Sequence, residues 1–116
     1  MKKRQYMDYL NDVLTEIKMI KAFHKDLAEQ DFLQDPKTVR ATIRSLEVIG
    51  EPVKKLPSEV TAKYPEIPWR SIAGMRDILI HEYFGVDYGL IWRTAKRDLK
   101  PLEEAVREIL AKTSED

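Results

Sequence analysis

Apolar positions along the chain recur every three or four residues over most of its length, the repeat of helices that bury one face. From Lys3 to about Glu29, Tyr6, Leu10, Val13, Ile17, Ile20 and Leu27 keep this spacing, and His24 fills the one vacant slot at the edge of the seam. Gln30 to Gln34 reads as a connection. Asp35-Pro36 then supplies a cap followed by proline at the first helical position, and Val39, Ile43, Leu46, Gly50 and Val53 form the buried stripe of a second helix. Beside it runs a charged row, Arg40, Arg44, Glu47, Glu51 and Lys54. Pro52 lacks a backbone donor, so it should kink this helix or begin its end.

A short helical turn fits Pro57 to Tyr64, and Pro65 and Pro68 bracket the turn before a central helix, Pro68 to Tyr83. Gly74 in its middle suggests a close crossing by another helix. Asp87 is a cap candidate for a last helix from about Asp87 to Lys112, with Ile91, Ala95, Leu99, Leu102, Val106 and Ile109 inward and a bend at Pro101. Strict alternation is absent. The expected fold is all-α, an antiparallel bundle of four to five helices over residues 1–112 with a disordered polar tail at 113–116. Trp69, Tyr83, Phe84, Tyr88 and Trp92 gather around the central helix and the turn after it, more aromatic surface than one small core needs, so a homodimer is expected.

Composition narrows the function classes. Twenty basic residues balance twenty acidic ones, which disfavours a general polyanion binder but leaves room for a local basic cleft. With no cysteine, disulfides, thiolate metal sites and cysteine nucleophiles are excluded. No apolar run approaches the roughly 20 residues of a membrane span, and the basic start leads into a charged amphipathic stretch, so the expected compartment is the cytoplasm. The densest basic stripe is Arg93, Lys96, Arg97 and Lys100 on the outer face of the last helix, the best candidate for meeting a phosphate backbone.

The central helix carries the candidate chemistry. At about 100° per residue, Trp69, Ile72, Arg76, Leu79 and Tyr83 share one face. Arginine keeps its proton, so on a buried stripe it needs a carboxylate, a phosphate or water. Glu47 or Glu51, turned inward from the second helix, would supply the carboxylate; the same charged row equally fits a solvated face laced with intrahelical pairs. His81 lies about 140° round the helix from Arg76, so either the helix ends nearby, the arginine reaches round, or a second copy of the chain completes the site. With two histidines and four scattered glycines, neither a metal-ligand cluster nor a phosphate-cradling loop is evident, and no metal or cofactor is expected. Metal-free phosphodiester transfer needs a group that moves protons near neutral pH and a cation at the phosphoryl oxygens. His81 and Arg76 are of those types, and Tyr83 could hold a phosphate oxygen or stack a base. A salt-bridged arginine with a capping histidine fits the same residues.

Arg76 to Tyr83, RDILIHEY, resembles the R-x4-H-x-Y motif of the HEPN superfamily, with Asp77 as the polar residue after the arginine. The flanks resemble the HepT toxin family within it: Ile49-Gly50-Glu51 its I-G-E, Ile67-Pro68-Trp69 its I-P-W, Gly74-Met75-Arg76 its G-M-R and Ile91-Trp92 its V-W. Pro52 departs from the small helix-forming residue usual after I-G-E. The resemblance implies a metal-independent endoribonuclease toxin, encoded beside a nucleotidyltransferase antitoxin, with the motifs of two chains pooled in a dimer cleft. By motif match it assigns Arg76 to phosphate charge, His81 to general acid or base work and Tyr83 to adenylylation by the antitoxin. Asp77, Glu47 and Glu51 would take supporting positions beside the arginine. A non-catalytic nucleotide- or partner-binding module is the alternative.

Overall fold

The computed structural model describes residues 2–81 and 87–115; the side chains of residues 78, 80, 81 and 115 lie outside that description. The described residues form six helices: α1 (Lys3–Phe23), α2 (Glu29–Leu33), α3 (Pro36–Lys54), α4 (Ser58–Thr61), α5 (Trp69–His81) and α6 (Tyr88–Glu115). Four are long and two are a turn or so each, so the fold is all-α, and the periodic stripes are where the core lies. Leu10, Val13, Ile17 and Ile20 of α1 meet Val39, Ile43, Leu46 and Val53 of α3 and Ile91, Leu99, Leu102, Val106 and Ile109 of α6, all buried. α3 packs between α1 and α5, while α6 closes on α1 and α2. The long axis of 46 Å follows from α6, since 28 helical residues span about 42 Å.

Local signals account for the starts of α3 and α6. The Asp35 side chain accepts from the Thr38 backbone N–H at 3.1 Å and from its hydroxyl at 2.6 Å, with Pro36 opening α3. These bonds hold the Asp35 carboxyl below its ordinary range. Asp87 caps α6 in the same way, accepting from Gly89 N–H at 2.8 Å and Leu90 N–H at 3.3 Å. Pro52 sits inside α3, which runs on only to Lys54. Pro68 precedes α5 by one residue rather than opening it, and its carbonyl accepts from Ile72 N–H at 3.0 Å. α6 runs to Glu115, three residues past the expected end.

The structure corrects the first helix. α1 stops at Phe23 instead of Glu29, because the chain turns at Asp26, whose φ of 58° is left-handed. Aspartate tolerates that region better than most residues. Leu27 N–H then bonds back to the His24 carbonyl. The stretch expected to be a connection is α2, which drives Phe32 fully into the core.

Candidate functional site

α5 is fixed at its start and in its middle. The Trp69 indole N–H donates to the Tyr64 carbonyl at 3.0 Å, fastening the first turn to the preceding loop. Ile72 and Leu79 are buried on the face toward α3. The two helices pack tightly at Gly50. A Cβ placed there would lie 3.0 Å from the Arg76 Cβ and 3.2 and 3.3 Å from the carbonyls of Ile72 and Ala73. Gly74, which the sequence marks as the crossing point, has nothing within 4 Å of a Cβ. The crossing is therefore made by the glycine of α3, and it sits against the stem of Arg76.

Arg76 is half exposed, not sealed in the core. Its stem lies at the crossing and its guanidinium reaches outward, where Nε is 3.4 Å from Glu51 Oε2 and Nη1 is 3.6 Å from Asp77 Oδ1. Both distances exceed the roughly 2.7–2.9 Å of a strong charge-assisted hydrogen bond. Glu51 is also shared with Lys55 at 3.4 Å. The guanidinium is thus oriented by carboxylates while its outer donors face solvent, a state suited to receiving an anion. Glu47 does not join it; it pairs with Arg44 at 3.3 Å along α3. His81 is the last residue of α5, five positions and about 7.5 Å of helix rise beyond Arg76, and its side chain lies outside the described set. Tyr83 lies outside the described residues.

The basic stripe of α6 is present, and its four cations are not equivalent. All four are exposed. Arg97 is held by Asp98 at 2.9 Å and Arg93 stands 3.9 Å from Asp87. Among the described residues, neither Lys96 nor Lys100 is matched to a carboxylate; Lys96 Nζ instead lies 4.3 Å over the ring of Trp92. Among the described residues, Trp92 makes its ring contacts away from α5; Phe84 of the expected aromatic group lies outside them. Trp92 stacks on His24 at 5.2 Å and packs against Phe32 at 5.1 Å, joining α1, α2 and α6. Among the described residues, no three histidine, aspartate or glutamate side chains converge as metal ligands, and no helix is long and apolar enough to cross a membrane.

Two features were missed in the sequence. Gly50 stands in the sequence pattern only as a member of the buried stripe, although a residue without a side chain on such a stripe is itself a signal of close approach. Lys21 of α1 is brought beside Lys96 and Lys100 only by the packing of α1 on α6.

Comparison with known proteins points the same way. The family described as "Ribonuclease HepT-like" matches residues 13–109. The chain is 49% identical over 104 residues to a candidate RNase of Caldanaerobacter subterraneus subsp. tengcongensis, covering 90% of this chain and 93% of that one. It is 48% identical over 101 residues to a probable ribonuclease HepT of Thermococcus cleftensis, covering 87% and 92%. A candidate RNase of Methanocaldococcus jannaschii is 44% identical over 113 residues, covering 94% and 93%. No solved structure gives a significant match.

Proposed function

Because the chain belongs to the HepT-like ribonuclease family, we propose that it is a metal-independent endoribonuclease, the cytoplasmic toxin of a pair whose other member is a nucleotidyltransferase. The observation that carries this reading is Arg76: a half-exposed guanidinium, oriented by Glu51 and Asp77 on the same helix as His81.

The reaction is an internal transfer. The ribose 2′-oxygen attacks the adjacent phosphorus, a 2′-O–P bond forms, the P–O5′ bond breaks, and a 2′,3′-cyclic phosphate remains. One proton leaves the 2′-hydroxyl and another reaches the departing 5′-oxygen. His81 handles these transfers, since imidazole titrates near neutral pH. Arg76 faces the phosphoryl oxygens, where charge grows as the phosphorus becomes five-coordinate. Glu51 and Asp77 position Arg76 without touching RNA; Glu47 keeps α3 ordered through Arg44. Two chains form a homodimer whose cleft receives both motifs, which removes the need for one helix face to present Arg76 and His81 together.

Neutralisation is covalent. The partner nucleotidyltransferase joins the Tyr83 oxygen to the α-phosphorus of ATP and releases pyrophosphate. The bulky anion so attached fills the cleft and repels RNA.

The purified protein is expected to cleave total RNA or tRNA in EDTA, with Arg76→Ala and His81→Ala each lowering the rate about 100-fold or more. Cleavage that requires a divalent metal, or that survives both substitutions, overturns the mechanism. Incubation with the nucleotidyltransferase and ATP should add adenylate to Tyr83, read by mass spectrometry. Complex formation without any RNA cleavage would instead mark a non-catalytic partner-binding module.

A further inference from the structure

Between α1 and α6, away from the α3–α5 crossing, lies an open cavity of about 220 Å³ lined by Ile20, Lys21, His24, Ala95, Lys96, Leu99 and Lys100. Its floor is apolar: Ile20, Ala95 and Leu99 are buried side chains of the core. Its rim is cationic. Lys21 is committed to Glu103, but Lys96 and Lys100 are the two members of the α6 stripe without a carboxylate among the described residues. A volume below the roughly 300–1,000 Å³ of pockets that enclose whole ligands suits one flat group, entered from solvent. An apolar slot for a flat group, with two ammonium groups at its mouth that no carboxylate neutralises among the described residues, is complementary to a nucleotide, whose base is planar and whose phosphate is anionic.

We infer that this cavity receives one unstacked nucleotide of single-stranded RNA, the base against Ile20, Ala95 and Leu99 and the phosphate between Lys96 and Lys100. The assignment rests on the ribonuclease reading for its choice of RNA over a free nucleotide. His24 forms the cavity wall and is held rigidly. The Thr42 hydroxyl donates to the Thr38 carbonyl at 2.8 Å, so its oxygen accepts from His24 Nε2–H at 2.8 Å, and Trp92 stacks behind the ring. The imidazole is neutral near pH 7 because burial, and then Lys96, depress its pKa to about 4. It therefore offers the base an aromatic edge rather than a competing charge. Leu99 also lines the small gap shared with Ile72 and Met75 of α5. Leu99 is thus a common wall of the cavity and of the gap beside the helix that carries Arg76.

The test is binding of a labelled 2′-O-methyl RNA decamer, which cannot cleave itself, followed by fluorescence anisotropy. The Lys96→Glu, Lys100→Glu double variant is expected to bind about tenfold or more weakly and to lose one to two units of salt slope. Lys63→Glu, an exposed control on another face, should bind like the parent. The lysines are exposed, so folding is retained, and a melting curve verifies it. A 5-iodouracil placed in the RNA should photo-cross-link to His24. Unchanged affinity in the double variant, or cross-links confined to other faces while RNA stays bound, overturns the cavity assignment. Adenosine monophosphate competing as tightly as the decamer would also overturn it, by giving the site to a free nucleotide. Binding that depends on Lys96 and Lys100 without any cleavage of ordinary RNA refutes the ribonuclease reading alone. Cleavage with a KM indifferent to the double reversal refutes the cavity alone.

Discussion

His24 illustrates what a single buried side chain does to the pH response of the whole chain. Its folded pKa, about 4, lies below the ordinary value of 6.5, so the unfolded chain takes up the proton first as pH falls. The associated stability is complete above about 6.5 and is lost progressively toward 4. Between pH 7.5 and 5 the loss amounts to about 2 kcal/mol. Urea unfolding at those two pH values measures it, and His24→Asn should remove most of the difference. Asp35, Glu103 and Glu108 are held below their ordinary ranges by bonds to Thr38, to Lys21 and to Lys112 respectively. Their contributions fade at lower pH and do not obscure the histidine. The spacing of α1 marks His24 as part of the packing seam, but it does not disclose Thr42 or Trp92 as its partners.

At the scale of elements, the α3–α5 crossing decides where Arg76 points, and two glycines separate its effects. Gly50→Ala gains about 1 kcal/mol of helix preference but forces a methyl against two backbone carbonyls and a Cβ at 3.0–3.3 Å. Such crowding costs about 1–3 kcal/mol. The net expectation is a destabilised protein in which α5 is pushed outward and Arg76 loses Glu51, with RNA cleavage falling further than the stability loss explains. Gly74→Ala meets nothing within 4 Å and should stabilise the chain by about 0.5–1 kcal/mol. Denaturant midpoints of the two variants check both signs. In the sequence both glycines are mid-helix, and only the place of Gly50 on a buried stripe hints that a neighbour approaches it.

For the whole molecule the question is whether one chain or two build a site. By helix geometry, positions 76 and 81 fall about 140° apart around α5, and the proposed dimer joins the Arg76 of one chain to the His81 of the other. Mixing Arg76→Ala chains with His81→Ala chains, each inactive alone, then creates mixed dimers in which one of two sites keeps both groups. Random exchange should restore about a quarter of the parental activity. No recovery after verified subunit exchange would place both groups of each site in one chain. Sedimentation of the parent protein at twice the 13.6 kDa chain mass is the companion measurement.

Periodicity, caps and prolines act within a few residues of one another, so the sequence by itself determined the long helices, the Asp35 and Asp87 caps, the buried stripes and the R-x4-H-x-Y motif with its flanks. It overran at α1 and passed over α2, because Leu27 keeps the helical spacing even though the chain has turned at Asp26. Partnerships across helices were left to tertiary structure: Glu51 rather than Glu47 beside Arg76, Gly50 rather than Gly74 at the crossing, Trp92 on His24, and Lys21 beside Lys96 and Lys100. A stripe records which face of a helix avoids water. What that face meets depends on how the helices cross, and crossing is settled by the shape of all the side chains between them at once.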